Sequence, residues 1–405
     1  MKGRVLVLSR IRGRAAAALV SNGLLEDLLI DAAAGDTRPA TGEIRLARLI
    51  RQGGGKTAGA FLDIGDGENG FLRDARGVKA GGSLIVQVAS QPEPGKAVPV
   101  STRVLYRGRL LIHTPGAPGV NVSRQIHDAA ERQALKDAVE AAAEPFLAAH
   151  RTGDPGDDSP AATRHRLMAA QGAMLDDGGL IIRSAAEGAP DDALADALEN
   201  VLAERGRVEA AAGAVDAPGA RLLSRTAHET ALCDWCSPMP DAIIADARTS
   251  GALTEAPHAM VDRAVLNRLE RADDDPFDRL GIHDLIAAAM EPRMALPGGG
   301  SVVIEPTAAL VAVDVNTGGD FGADAGVRAN VEAARMLPRL LRIKGLGGQI
   351  VVDFAPMAKK DRRRLEDSLR AALKRDGIET VAHGFTTMGL FELQRKRERR
   401  PINLD

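Results

Sequence analysis

The fold is decided by two stretches that each carry one aspartate in an apolar run: Val311-Ala312-Val313-Asp314-Val315-Asn316 and Ile350-Val351-Val352-Asp353-Phe354. Both stretches have the length and the β-branched composition that predict strands. Apolar residues recur at helical spacing over residues 329–344, which lie between the two strands. The sequence therefore predicts a β-α-β unit, in which the strands run parallel and the crossover is right-handed.

Two aspartates and one asparagine are candidate metal-binding groups in this unit. Asp314 and Asp353 fall near the carboxyl ends of the predicted parallel strands, where α/β proteins place their sites. Asn316 is two residues from Asp314 and therefore shares its face of the strand. Because an unpaired carboxylate in an apolar environment is costly, we expect both aspartates to have partners. Hard oxygen ligands suit Mg²⁺, although each aspartate could instead cap a helix or pair with an arginine.

Length, composition and charge exclude several classes of protein. The chain has 405 residues, of which 45% are hydrophobic and 26% are charged, a balance typical of a globular protein with several domains. The net charge of -3 excludes a positively charged coat, so any nucleic-acid site must be a local patch. The presence of only two cysteines excludes a disulfide-rich fold and favours a cytoplasmic location. No apolar run has the length of a membrane span, so we expect no membrane partner.

Residues 41–115 contain short strands separated by turns rich in glycine and proline, which favours a small β-barrel. Apolar residues at 60, 62 and 64 share one face of a strand, whereas Phe61 and Asp63 share the other. A ring beside a charge is typical of an exposed platform for RNA bases; Phe71 is a second candidate, and barrel core is the alternative for both. Lys56 follows a triple glycine without the first glycine of a Walker A loop, and we interpret it as a candidate phosphate contact.

Four stretches in the last third resemble the catalytic region of the ribonuclease E/G family and occur in the family's order. They read Leu296-Pro297-Gly298-Gly299-Gly300-Ser301-Val302-Val303-Ile304-Glu305, Val313-Asp314-Val315-Asn316, Leu346-Gly347-Gly348-Gln349-Ile350-Val351-Val352-Asp353-Phe354 and Met388-Gly389-Leu390-Phe391-Glu392-Leu393. The resemblance implies an α+β multidomain fold. Its expected parts are an RNase H-like scaffold at 1–40 and 222–275, an inserted S1 domain (an OB-type barrel) at 41–115, a 5′-sensor region at 116–221 and a DNase I-like α/β catalytic domain at 276–400.

The resemblance also implies an activity and the residues that perform it. In the family, residues at the positions of Asp314, Asp353 and Asn316 hold Mg²⁺ for cleavage of single-stranded RNA. The expected function is rRNA processing or mRNA decay that leaves 5′-phosphate products. Residues of the sensor would bind the RNA 5′ monophosphate, and by motif they are Arg183, Ser184 and Val122. The family's second basic sensor residue has no counterpart at 377–380, which predicts weaker sensing. The alternatives are a non-catalytic RNA-binding protein that retains the fold and a phosphodiesterase that acts on another substrate.

Two further sequence features concern assembly and RNA binding. Cys233 and Cys236 form a CxxC pair, which supplies two of the four ligands of a zinc site. We interpret them as structural thiols, with zinc shared between subunits as the alternative. The family's zinc-link cysteines and small domain would follow Asp405, so we expect a short form that is a monomer or a weak homodimer. The basic stretch 394–400 is interpreted as an RNA contact or as a solvated helix end.

Overall fold

A computed structural model describes residues 2–52, 59–75, 81–153, 159–215, 217–255, 262–319, 322 and 324–404. The strands are β1 (Arg4–Ile11), β2 (Arg14–Ser21), β3 (Leu24–Ile30), β4 (Ile44–Gln52), β5 (Ala60–Asp63), β6 (Asn69–Leu72), β7 (Ser83–Val88), β8 (Val98–Ser101), β9 (Tyr106–Arg107), β10 (Leu111–Pro115), β11 (Gly119–Val122), β12 (Gly178–Ile182), β13 (Arg221–Leu223), β14 (Ala242–Asp246), β15 (Leu269–Ala272), β16 (Arg293–Ala295), β17 (Ser301–Pro306), β18 (Val311–Asn316), β19 (Gly348–Asp353), β20 (Thr380–Phe385) and β21 (Phe391–Arg395). The helices are α1 (Ala129–Thr152), α2 (Pro160–Asp177), α3 (Asp191–Ala214), α4 (Ala227–Asp234), α5 (Ala247–Glu255), α6 (Arg263–Leu266), α7 (Pro276–Arg279), α8 (Ile282–Met290), α9 (Ala325–Ile343) and α10 (Arg362–Arg375). The predicted α+β class is confirmed.

The first sheet combines the beginning of the chain with its middle, in the strand order β15-β14-β1-β2-β3. Asn22-Gly23 forms the tight turn between β2 and β3, since both residues have the positive φ that such a turn requires. One face of the sheet packs against Phe277, Ile282 and Ile286 of α7 and α8. The other face packs against Ala231 and Leu232 of α4.

The second sheet is a closed barrel of five strands, β4-β5-β6-β8-β7, because β7 pairs back to β4. The strand alternation predicted from the sequence is confirmed, since Ala60, Leu62 and Ile64 are fully buried in the barrel core. The closed barrel is consistent with the predicted OB-type domain. Strand β13 adds to the outside of β4, so a segment from beyond α3 extends the barrel sheet.

The third sheet has the order β11-β12-β10-β9, so β9 and β10 pair outside the barrel although they lie within residues 41–115. Helices α1 and α3 are rich in alanine and pack against each other. Helix α2, which packs along α1, was not predicted. Together these helices cover the sheet with a core that contains Leu135, Val139 and Leu198.

The fourth sheet has the order β16-β17-β18-β19-β21-β20, and α9 and α10 cover one of its faces. Strands β18 and β19 are parallel and are joined through α9, so the predicted β-α-β unit is confirmed. Strand β21 was not predicted, and it lies between β19 and β20. The opposite face of this sheet carries the candidate catalytic groups. No helix in the described ranges has the length and apolar character of a membrane span.

The basic stretch 394–400 connects the fourth sheet to other parts of the chain. Its arginines bind partners inside the chain: Arg395 to Asp376, Arg397 to the Gly347 carbonyl, Arg399 to Asp27 and Arg400 to Asp36. The stretch continues from β21 as an extended segment, so the interpretation as a solvated helix end is wrong. The RNA-contact interpretation is not supported for these arginines, because their guanidinium groups are already engaged.

Candidate active site

The two aspartates that the sequence singled out lie directly opposite each other. Strands β18 and β19 pair in parallel with Asp314 in register with Asp353. The neighbours Val313, Val315 and Val352 point into the core, where each has an exposed fraction of at most 3%. Both carboxylates therefore face away from α9 and α10, on the open face of the sheet, and both are exposed. Adjacent strands are about 4.8 Å apart, so Asp314 and Asp353 are the residues that would hold a cation at this edge.

The expectation that these aspartates need partners because of burial is wrong. Residues of β18 alternate between buried and accessible, so the strand buries its valines and leaves Asp314 in solvent. Strand β19 alternates in the same way around Asp353. The alternation is readable in the sequence of residues 311–316, where every second residue is valine. The carboxylates are thus accessible to a ligand, because folding leaves both of them in contact with solvent.

Asn316 completes the group of oxygen-bearing side chains at this edge. Its Nδ2 donates a hydrogen bond to Asp314 Oδ2 over 2.5 Å, which orients that carboxylate. Gly300 allows the adjacent turn to approach, because a Cβ at Gly300 would lie 2.1 Å from the Asn316 carbonyl oxygen. Two carboxylates and an amide oxygen on one accessible edge form a hard donor set that fits Mg²⁺.

Asn330 on α9 holds the segment that follows β19. Sequence reasoning did not identify this residue. This side chain on α9 is fully buried. Its Nδ2 donates to the Ala355 carbonyl over 2.8 Å, and its Oδ1 accepts from the Ala355 amide over 2.9 Å. Both bonds lie two residues beyond Asp353, so they hold the segment that positions the carboxylate. A lone asparagine on an apolar helix face gives no sequence signal for this role.

The candidate RNA platform lies on the outer surface of the barrel. Phe61 and Phe71 are half-buried neighbours with ring centroids 5.5 Å apart. The Arg51 guanidinium lies over the Phe61 ring, 5.1 Å from its centroid. An arginine beside a pair of rings is the combination that stacks and neutralises single-stranded nucleic acid. Lys56, the predicted phosphate contact, lies outside the described residues.

The predicted sensor residues are close together, but one of them is engaged. Val122 pairs with Ile182 in the parallel strands β11 and β12, directly before Arg183 and Ser184. Val122 is buried, whereas Ser184 is half-exposed at the start of a 3₁₀ turn. Arg183 donates to the Gly108 carbonyl over 2.7 Å and pairs with Asp234 over 2.8 Å. A phosphate at Arg183 would have to compete with Asp234.

The two cysteines are buried free thiols. Burial raises the pKa of the Cys236 thiol to about 12, and burial also raises the pKa of Cys233. Zinc binds the thiolate, so these environments disfavour metal binding. Cys233 is 2% exposed and Cys236 is fully buried, so neither can meet a second subunit across a surface. The structure favours structural thiols over a shared zinc site.

One other group of side chains has ligand-type atoms close together. Asp275, Asp278 and His283 have such atoms within 4.8 Å of one another, the one such cluster of histidine, cysteine and acidic residues in the described ranges. Asp275 accepts from the Phe277 amide over 2.9 Å and from Ser9 Oγ over 2.7 Å. Asp275 therefore caps α7 and ties it to β1, which accounts for its position.

A cleft of about 2170 Å³ is lined by residues other than the paired aspartates. It separates the first sheet, the barrel and the C-terminal segment, and Phe61, Arg103 and Arg107 line it. Asp314 and Asp353 do not line it, since they lie on an open sheet face instead of in a pocket. The candidate site therefore lies on an open surface and not in an enclosed pocket.

Comparisons with known proteins agree with this geometry. A sequence profile described as the Ribonuclease E/G family matches residues 159–398, which include both aspartates. Ribonuclease G of Escherichia coli K12 is 30% identical over 422 aligned residues, covering 95% of this chain and 78% of the relative. Ribonuclease E of Synechocystis sp. PCC 6803 is 29% identical, covering 84% of this chain and 50% of the relative. With the aspartate pair, the closed barrel and these matches in agreement, the chain belongs to the ribonuclease E/G family.

Proposed function

We propose that the protein is a Mg²⁺-dependent endoribonuclease that cleaves single-stranded RNA and leaves 5′-phosphate products. Its family membership identifies it as an endoribonuclease. The single observation that carries the finer proposal is the pairing of Asp314 with Asp353 on an accessible sheet face. The substrate class is RNA of the kind handled in rRNA processing or mRNA decay.

Each residue of the site has a separate role in this proposal. Asp314 and Asp353 would hold Mg²⁺, and Asn316 keeps the Asp314 carboxylate oriented through its hydrogen bond. When bound, the ion supplies stabilisation of the developing phosphate charge and a more acidic water. Asn330 holds the end of β19 so that Asp353 stays opposite Asp314. Cleavage is a hydrolysis: a water oxygen bonds to phosphorus as the P–O3′ bond breaks, O3′ takes a proton to become a hydroxyl, and the phosphate stays on the 5′ end of the downstream product.

The finer domain assignments belong to the same proposal. The barrel at 41–115 would be an S1 domain, with Phe61, Phe71 and Lys56 binding RNA. Residues 1–40 and 222–275 would form the RNase H-like scaffold, and residues 276–400 would form the DNase I-like catalytic domain. The region 116–221 would sense a 5′ monophosphate through Arg183, Ser184 and Val122, provided that the phosphate displaces Asp234 from Arg183.

Substitution of either aspartate tests the proposal. We expect Asp314→Asn and Asp353→Asn to abolish cleavage of a 5′-monophosphorylated, AU-rich RNA, because each removes a charged ligand. RNA binding should change little, since the barrel is untouched, and EDTA should stop the wild-type reaction. Asp367→Asn, an exposed carboxylate on α10, is the matched control. Near wild-type cleavage by either aspartate variant at saturating Mg²⁺ would show that the assignment is wrong.

The same assay separates the alternative function. A non-catalytic RNA-binding protein would bind the RNA with Mg²⁺ present and leave it intact. The accessible aspartate pair favours the enzyme, because a protein that only binds RNA has no use for two facing carboxylates. A phosphodiesterase acting on another substrate would leave the RNA uncut without binding it tightly.

We also propose a monomer or a weak homodimer in the cytoplasm. The burial of Cys233 and Cys236 supports the absence of a zinc bridge through this pair, and their free thiols suit a reducing compartment. Light scattering combined with metal analysis of the purified protein tests the assembly. A tight dimer with about half a zinc per chain would contradict it.

A further inference from the structure

A tight turn stands beside the catalytic carboxylates. Strand β21 pairs antiparallel with β19, with Phe391 opposite Val352. The turn at residues 386–390 precedes β21 and therefore lies at the sheet edge where β19 ends, next to Asp353. Strand β18 ends at the same edge with Asn316, because it is parallel to β19. The turn is thus a neighbour of the candidate metal site.

This turn is rigid. The Gly389 amide donates to the Thr386 carbonyl over 3.0 Å, which closes it, and the Thr386 amide donates to the Leu390 carbonyl over 2.7 Å. Below it, the Phe385 and Phe391 rings pack edge to face with centroids 5.0 Å apart. The turn therefore presents its tip in a defined position instead of sampling many.

The tip of the turn carries Met388, whose side chain is 86% exposed. It is the most exposed large hydrophobic residue in the described ranges, ahead of Leu167 at 59%. Packing does not explain an apolar side chain that a rigid turn holds in water. Methionine inserts between bases in several nucleic-acid complexes, because its thioether is flexible and makes favourable contacts with rings.

Two lysines follow β19 at the same edge. Lys359 and Lys360 form part of a 3₁₀ turn that starts six residues after Asp353. Both are exposed, and neither has an ion pair or side-chain hydrogen bond within the part of the chain that the structure describes. Asn330 fixes the intervening segment at Ala355, and the Arg362 guanidinium, two residues past Lys360, lies 4.4 Å from the centroid of the Phe385 ring, so the segment that carries the lysines reaches the base of the turn. Unpaired cations beside an apolar tip are the combination that grips single-stranded RNA.

We propose that Met388, Lys359 and Lys360 form an RNA subsite at the catalytic edge. Met388 inserts beside the base next to the scissile phosphate and unstacks it from its neighbour. Lys359 and Lys360 neutralise the flanking phosphates. This inference rests on the proposed function and adds to it a second RNA-binding site that is independent of the barrel.

The first test measures the tip. An RNA oligonucleotide with 2-aminopurine beside the cleavage position is bound in EDTA, so that binding is measured apart from cleavage. Wild-type protein should raise the 2-aminopurine fluorescence, because unstacking relieves quenching. Met388→Ala should bind about 2- to 10-fold more weakly and lose most of the fluorescence rise, and Met388→Phe should restore both. Leu167→Ala, another exposed apolar side chain, is the matched control and should match wild type.

The second test measures the lysines through salt dependence. Each phosphate contact on single-stranded RNA contributes about 0.7 to the slope of log affinity against log salt concentration. Lys359→Ala with Lys360→Ala should lower that slope by about 1.4, and Lys374→Ala, at the other end of α10, should leave it unchanged. Exposed positions keep the melting temperature within a degree or two of wild type.

The outcomes separate this inference from the proposed function. If Asp353→Asn abolishes cleavage while Met388→Ala and the double lysine variant bind and cut like wild type, the subsite does not exist and the nuclease assignment stands. If the aspartate variants still cleave but the tip and lysine variants bind weakly, the subsite stands and the metal assignment fails. Equal fluorescence changes in wild type and Met388→Ala would also overturn the role of Met388.

Discussion

Phe61, the candidate RNA platform, shows how the strand pattern places one ring on the outer surface of the barrel. Its neighbours Ala60 and Leu62 are fully buried in the barrel, whereas Phe61 is half-buried on the outer surface. Its ring contacts Phe71 and Arg51, so it is held in place without being part of the core. The contribution of Phe61 to RNA binding can therefore be separated from its contribution to folding.

We expect Phe61→Ala to weaken binding of single-stranded RNA by about 1–3 kcal/mol, the range for one stacked base. The melting temperature should change little. Leu62→Ala is the contrasting variant, because it opens a cavity in the barrel core and should cost about 2–5 kcal/mol of folding free energy. Fluorescence anisotropy and thermal unfolding measure the two effects. A fall in stability for Phe61→Ala as large as that for Leu62→Ala would place Phe61 in the core.

His113 makes stability depend on pH. It is fully buried, its Nδ1 lies 3.1 Å from the Gly179 carbonyl, and Arg205 donates to its Nε2 over 3.0 Å. Burial and then the Arg205 charge lower the pKa of His113 to about 4. Between pH 6.5 and 4 the unfolded chain binds a proton that the folded protein does not, so the free energy of unfolding falls as the pH falls.

This linkage predicts a loss of about 2 kcal/mol of stability from His113 between pH 7.5 and 5. Burial also lowers the pKa of His228, which adds a loss in the same direction. His113→Gln removes the titrating group, so its urea midpoint should depend less on pH than that of wild type. Equal pH dependence for both proteins would contradict the prediction.

At the scale of elements, α9 supports the sheet edge that carries the candidate catalytic residues. Its apolar face packs under β18 and β19, and Asn330 reaches from the same helix to Ala355. The helix therefore holds β19 both by packing and by two directional bonds. Loss of those bonds would loosen the strand end that carries Asp353 without removing any group of the site.

We expect Asn330→Ala to lower stability by about 1–3 kcal/mol for each backbone group left without a partner. It should also reduce kcat more than it reduces RNA affinity, since Asp353 would be less well placed. Asn267→Ala, an exposed asparagine, is the control. Stability and kcat equal to those of the control would show that Ala355 is held by other contacts.

The sequence predicted the β-α-β unit because its strands and helix have clear apolar periods. It also predicted that Asp314, Asp353 and Asn316 would share an edge, since that follows from strand polarity. Strand β21 was missed because Arg395, which points inward to a buried ion pair with Asp376, breaks its apolar alternation. Helix α2 was missed because it has no continuous apolar stripe. Asn330 and Met388 were missed because single residues define their roles only in three dimensions.

At the scale of the whole molecule, ion pairs join the first sheet to the fourth sheet. Asp27 on β3 is 4% exposed, and it binds Arg342 of α9 and Arg399 of the C-terminal segment. Arg342 and Arg395 both bind Asp376 as well. The clamp links three parts of the chain through groups that would be costly to leave unpaired.

Removal of the Asp27 carboxylate should weaken this clamp strongly. We expect Asp27→Ala to cost about 3–5 kcal/mol, because Arg399 loses its carboxylate partner and Arg342 loses one of its two, and both guanidinium groups are largely buried. Thermal unfolding should separate into two transitions as the catalytic sheet detaches from the first sheet. Glu26→Ala, the preceding residue on β3, is the control, since its carboxylate makes no ion pair within the described ranges. A single transition at the wild-type temperature would show that the sheets are joined by other contacts.

The position of β1 at the centre of the first sheet imposes an order on biosynthesis. Its parallel partner β14 is encoded more than two hundred residues later, with Val5 opposite Ala242. At roughly 5–20 residues per second, a ribosome needs about 12–50 s to make that partner. During this interval β1, β2 and β3 form a three-stranded antiparallel unit in which the apolar strand β1 is an open edge. The barrel and the third sheet are completed in the same interval. These strands leave the ribosome well before β14 and are therefore among the last to be fully paired, and for tens of seconds they depend on chaperones or on their own short length to avoid pairing with other chains.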